Sequence, residues 1–264
     1  LTYTAAGAGS FGERINFSGN DIELPDASTT GTVILLTSGA TNGLPHLKID
    51  DNLIECNSAT VDRIIDLVGA SVGSASICHN IINADALQLS AIRVQTFNGF
   101  SVNNNEIYCA TEVAAGVPIG ILIGGTARAG TETGCTNFSC SDNRVSAGGS
   151  CYVFVHPGSG NNFEGSVIAN NRGYTGDTAT AEFEIWNLGA HPTTFVLHLT
   201  IDGNHANVSS LSLAGWANYT DMGSTRGGRA GDAADSYLNV VGNTLPGAVF
   251  DDAAAGADFQ STAN

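Results

Sequence analysis

Glu182 and Glu184 stand two apart in a stretch that reads as extended chain. Side chains two apart on a strand face the same way, at about 7 Å. Glycoside hydrolysis asks for two carboxyl groups about 5 to 9.5 Å apart, so this spacing is permissible. Tyr152 and Trp186 are aromatic surfaces that could bind a sugar beside them. Elimination on an acidic polysaccharide needs instead a base and a group that neutralises the substrate's charge. The chain is poor in both, and Arg93, set beside Asp66, is the best it offers. If the chain is an enzyme, Glu182, Glu184, Arg93 and Asp66 are its catalytic candidates. The plainer reading of the two glutamates is an exposed acidic strand on an acidic protein, and it is preferred.

Other reactive residues point to structure. Six cysteines lie between Cys56 and Cys151, none at metal-site spacing. Cys135 and Cys140 could pair locally. The histidines His46, His79, His156, His191, His198 and His205 form no ligand pair with a third ligand nearby. Asp50 with Asp51, and Asp251 with Asp252, are the carboxylate pairs that could take Ca²⁺, although turn aspartates are usually just solvated. No cofactor is expected. There is no nucleophile elbow, phosphate loop or dinucleotide fingerprint. Sequons occur at Asn16, Asn137, Asn207 and Asn218.

The 264 residues are 42% hydrophobic, enough for a sizeable core, and 33 are glycine, which suits strands joined by turns. Twenty-five acids against nine bases give a net charge of -16, and Lys48 is the only lysine. Such a surface repels nucleic acid and anionic lipid. No stretch approaches the 18 or so apolar residues of a membrane span. The chain begins at Leu1 rather than Met, as expected of a processed, trimmed or partial chain.

What must position any site is a repeat. INFSGNDI from Ile15, LKIDDNLI from Leu47, ASICHNII from Ala75, FSVNNNEI from Phe100 and FSCSDNRV from Phe138 share one pattern. SVIANNRG from Ser166, LTIDGNHA from Leu199 and LNVVGNTL from Leu238 continue it. The sixth place is always asparagine: Asn20, Asn52, Asn80, Asn105, Asn143, Asn171, Asn204 and Asn243. Their mean spacing is about 32 residues, a solenoid period. Five and three before the Asn, and two and four after it, 28 of 32 places are apolar, far above the 42% of the whole chain. That alternation describes two strands, each with one buried face. The inward offsets jump by five across the Asn, so the chain turns there. The residue just before it is Gly, Asp, Asn or, once, His79, and most of these tolerate a left-handed backbone. Stacked turns would bring the Asn amides together as a ladder. A third strand per turn is expected at Val33–Leu36, Ile64–Val68, Ile92–Val94, Ile119–Ile123, Tyr152–Val155, Phe183–Trp186 and Leu211–Leu213.

The repeat predicts an all-β fold: a right-handed, single-stranded parallel β-helix of about eight turns over residues 15–250. An N-terminal arm (1–14) precedes it and a C-terminal tail (251–264) follows. Cys56, Cys109 and Cys140 fall at inward offsets, and Ala84 and Ala147 at the matching neighbours, so free buried thiols are expected.

With this pattern the chain resembles the right-handed parallel β-helix superfamily of pectate lyases, phage tailspikes and virion decoration proteins. The pattern is specific for the fold and nearly silent on function. The resemblance implies a structural or adhesive protein of an extracellular or virion surface, such as a phage decoration protein or fibre segment. Its counterpart would be a capsid, tail or surface scaffold, or a glycan, and homotrimers are common in such proteins. The alternative it implies is a secreted polysaccharide lyase or glycosidase. Trp216, Tyr219, Arg226 and Arg229, in the longest insert, have the character enriched at interfaces. With Tyr152 and Trp186 they are the candidates for glycan or partner contact.

Overall fold

The computed structural model describes residues 2–5, 14–24, 31–38, 46–58, 60–109, 118–125, 135–156, 163, 165–175, 183–187, 198–206, 211–212 and 237–243. Every strand pairing in it is parallel, and the chain winds as a β-solenoid with three faces.

The first face holds β2 (Arg14–Ser18), β5 (His46–Asp50), β12 (Thr136–Ser141), β15 (Ser166–Ala169), β18 (His198–Asp202) and β21 (Tyr237–Val241). The second holds β3 (Asp21–Leu24), β6 (Leu53–Cys56), β8 (Ile81–Asn83), β10 (Glu106–Cys109), β13 (Arg144–Ala147), β16 (Arg172–Thr175) and β19 (His205–Ala206). The third holds β1 (Thr2–Ala5), β4 (Gly31–Ser38), β11 (Ile119–Ile123), β14 (Tyr152–His156), β17 (Phe183–Asn187) and β20 (Leu211–Ser212). Two long strands, β7 (Val61–Cys78) and β9 (Ser90–Asn103), run from the third face round the corner onto the first. They join those two faces into one 14-stranded sheet. The sequence pattern separates these strands; the structure bends them instead, with register slips between Val68 and Ser71 and between Val72 and Ala75. Such irregularities let a strand turn a corner without ending. The stretch before residue 15 also contributes: Thr2–Ala5 pairs with β4 as the first strand of the third face. The C-terminal tail lies outside the described residues.

All eight residues preceding the repeat asparagines have positive φ: Gly19, Asp51, His79, Asn104, Asp142, Asn170, Gly203 and Gly242, at 55° to 67°. The left-handed residue swings the chain from the first face to the second and aims the following Asn inward. Each Asn Nδ2 donates to the Oδ1 of the next, at 2.8 to 3.0 Å, from Asn20 through to Asn243. From Asn52 onward Nδ2 also donates to a backbone carbonyl of the preceding turn, as from Asn143 to Val102 at 2.8 Å. Each Oδ1 from Asn52 onward also accepts the backbone N–H of the preceding Asn. The buried amides are thereby satisfied on both sides, which a hydrocarbon interior demands.

The inward places form continuous rows. Ile49, Ile77, Val102, Cys140, Ile168, Ile201 and Val240 are in register on the first face, and the first six of them are buried. On the third face the row runs Ile34, Ile65, Ile92, Ile121 and Tyr152, with Phe183 in register on the next strand. Phe138 fills the middle of the core, stacked on Phe100 at 5.2 Å and Phe154 at 6.3 Å, with Phe163 edge-on.

Candidate interaction face

The residues singled out for chemistry end up apart. Asp66 on β7 and Arg93 on β9 are register partners, as the repeat implies. The guanidinium grips the carboxylate with both arms, Nε to Oδ1 at 2.7 Å and a terminal nitrogen to Oδ2 at 2.6 Å. Their side chains are only 11% and 3% exposed. Burial pushes the neighbouring Arg63 guanidinium below its ordinary value; repulsion from Arg93 adds to this, while Asp66 and Asp62 oppose it. The same outward row continues through Leu122 and Val153, and Glu184 is in register with Val153 on the next strand. Leu122 and Val153 are buried and pack with Ile119 and Val155 in a second apolar cluster. The exterior of the third face is therefore covered at this level. Glu184 stands three strands from Arg93, about 14 Å at about 4.8 Å per turn. For Glu184 and Trp186 only the strand position is described, Trp186 in register with Val155. Glu182, Trp216, Tyr219, Arg226 and Arg229 lie outside the described residues.

Tyr152 is a correction. It is wholly buried, in the row of Ile121 and Phe183, and presents no surface to a glycan. Its hydroxyl donates in the core, toward the carbonyls of Asn143 at 3.0 Å and Arg172 at 2.8 Å. Burial holds its pKa well above the usual phenol range. A buried tyrosine needs such a partner, and the turn carbonyls supply it.

All six cysteines are free and buried, so Cys135 and Cys140 are not joined. Burial raises the Cys56 and Cys140 thiols and pushes Cys109 up to about 12. The Asp50 carboxylate is committed within the fold. It accepts from the Cys78 backbone N–H at 2.9 Å and Ser76 Oγ at 3.0 Å, and pairs with Lys48 at 3.5 Å. Asp51 is one of the left-handed turn residues. Among the described residues, no group of three or more His, Cys, Asp or Glu could hold a metal ion. Asp251 and Asp252 lie outside them.

What the structure does bring together is the exterior of the second face. Its strands are short and alternate strictly; in β10, Ile107 and Cys109 are buried while Glu106 and Tyr108 point out. Two outward rows result. One runs Asp21, Leu53, Ile81, Glu106, Arg144, Arg172 and His205; the other runs Glu23, Glu55, Asn83, Tyr108, Ser146 and Tyr174. Ile81, Tyr108 and Tyr174 are 44%, 48% and 50% exposed. They are three of the five exposed large hydrophobic residues among those described, the others being Leu89 and Val167. Arg144, Arg172 and His205 stack on consecutive turns, and all three are exposed. Neither arginine forms an ion pair among the described residues. Beside them a polar groove of about 900 Å³ follows the Asn turns, lined among others by Glu106, Asp142, Arg144, Arg172 and His205.

None of these outward residues stands out alone in the sequence. They occupy the places one and three after the repeat Asn, so the same template read outward finds them. Arg144, Arg172 and His205 each follow their Asn directly, and Tyr108 and Tyr174 come three after theirs. No protein-family model, curated protein or solved structure matches the chain.

Proposed function

We propose that the protein is a non-catalytic structural or adhesive β-helix of a virion or cell surface, and that it acts through the exterior of its second face. The reading follows the resemblance of the repeat to virion decoration and fibre proteins, and it places the chain in an oligomeric surface assembly. Its counterpart is a capsid, tail or surface scaffold, or a glycan. The observation that carries it is the gathering of exposed Ile81, Tyr108 and Tyr174 with Arg144 and Arg172 on one face. Aromatic and arginine side chains are the types enriched where proteins recognise partners. The Asp66–Arg93 pair supports the same reading, because each group is engaged by the other under cover.

The test is a turnover assay on neutral and acidic polysaccharides, read as new reducing ends and as the absorbance of unsaturated uronates. The expected result is no turnover with any of them. Product release that Glu184→Gln abolishes would replace this reading with a polysaccharide lyase or glycosidase.

A further inference from the structure

The second face carries two electrostatic conflicts of opposite sign. At one end Glu23 and Glu55 are register partners, with Asp21 beside Glu23 on the same strand. At the other, Arg144 and Arg172 are register partners, followed by His205. Like charges directly opposite on neighbouring strands are destabilising. Asp21, Glu23, Glu55, Arg144 and Arg172 are all exposed, and none takes part in an ion pair among the described residues. Glu106, in register with Arg144, is the single acid on the outward rows of the cationic turns. Between the two charged ends lie the exposed Ile81 and Tyr108.

We infer that this face docks on the same face of a second copy of the chain, the two solenoids antiparallel about a twofold axis that runs along the strands between β8 and β10. The inference rests on the reading that the face is a recognition surface, and it names the partner. Rotation about that axis lays β3 on β16 of the other copy, β6 on β13, and β8 on β10. Asp21 then faces Arg172. Glu23 meets Tyr174, and Glu55 meets Ser146 with Arg144 next along the strand. Ile81 and Tyr108 come to the centre. The result is self-complementary, as a twofold interface must be: beside the axis Ile81 meets Glu106 and Tyr108 meets Asn83, Leu53 meets Arg144 further out, and the facing opposite charges lie on the outermost paired strands. One contact relieves both conflicts. An anionic glycan would satisfy the arginine end and be repelled by the glutamate end, and a neutral glycan would relieve neither. The net charge of -16 on each copy opposes approach. At physiological salt, though, charges more than about 8 Å away are largely screened, so the facing pairs decide. Six of the seven strands of this face take part, about 4.8 Å apart and about 13 Å long, a small footprint, so the dimer is weak and concentration-dependent. A twofold pair takes the place of the threefold arrangement implied by analogy.

Two charge-reversed variants test it: Asp21→Arg with Glu55→Arg, and Arg144→Glu with Arg172→Glu. All four positions point outward, and a thermal melt checks that each variant folds. Sedimentation equilibrium over a wide concentration range is expected to show wild type dimerising and each variant monomeric. An equimolar mixture of the two variants is expected to dimerise again, because only the mixed pair sets opposite charges against each other at both ends. Wild type that stays monomeric overturns the inference, and affinity electrophoresis in dextran and in alginate then separates the two failures. Retardation that Tyr108→Ala removes would keep the recognition face and make its ligand a glycan. No retardation in either polymer would remove the glycan as counterpart as well, and leave the face to a protein scaffold. Dimers indifferent to both variants would place the contact elsewhere and overturn the inference.

Discussion

Asparagine is a turn residue in most proteins; here its side chain is the link between turns. Asn143 shows the arrangement in full. Its Nδ2 donates to Asn171 Oδ1 at 2.9 Å and to the Val102 carbonyl at 2.8 Å. Its Oδ1 accepts both the side-chain and the backbone N–H of Asn105, each at 3.0 Å. Asn143→Ala removes the side chain and leaves several of these buried groups without a partner. Each such orphan costs about 1 to 3 kcal/mol, so the total is about 3 kcal/mol or more. Urea denaturation should show a lower midpoint, with the slope little changed. Asp142, next to it, holds a φ of 59° that most side chains avoid, and this is what turns Asn143 inward. The two residue types work together, which is why the pattern recurs as a unit.

At the scale of the strand, alternation is the controlling property. Val102 sits wholly buried between Ile77 and Cys140 on the neighbouring turns, while Ser101, one residue earlier, faces outward and is partly exposed. Val102→Asp would set an unpaired carboxylate in that row. Burying an unpaired charge costs several kcal/mol, comparable with the whole stability of a domain. The expected outcome is loss of the cooperative unfolding transition in circular dichroism. Ser101→Asp, the same charge one place along the strand, should fold and melt cooperatively. If Val102→Asp melts like Ser101→Asp, the assignment of faces is wrong.

The whole solenoid carries six free thiols in its interior, spread over several turns. Three of them, Cys56, Cys109 and Cys140, make its stability sensitive to alkali. Cys109 moves from an ordinary 9.0 in the unfolded chain to about 12 in the folded one. Burial raises Cys56 and Cys140 as well. A raised acid pKa means that the unfolded chain loses its proton first. The contribution to stability is therefore intact below pH 9 and is lost progressively as the pH rises from about 9 toward about 12. Denaturant midpoints measured across this range should fall, and Cys109→Ala should make the fall shallower. Thiol reagents should label Cys56 and Cys109 only once denaturant is present. Rapid labelling of both in the folded protein would contradict their inward positions.

The solenoid itself was legible in the sequence because its determinants are local and repeated. A left-handed turn residue, an Asn and two alternating strands recur on every turn, and each imposes its geometry within a few bonds. The Asn ladder, the inward rows and the free thiols all follow from that template. The pairing of Asp66 with Arg93 follows as well, since equal places on successive turns must be neighbours. Tertiary structure decided what depends on which exterior is covered and which is bare. Tyr152 reads as a surface aromatic, yet its parity on β14 sends it into the core, where turn carbonyls take its hydroxyl. Leu122 and Val153 point away from the core and are buried all the same, so outward parity did not mean exposure on the third face. The second face needed the structure for a similar reason. Glu23 with Glu55, and Arg144 with Arg172, are separated along the chain by about one turn, and neither pair forms a contiguous motif. Parallel stacking sets each pair side by side, and only then do like charges and exposed aromatics become one surface.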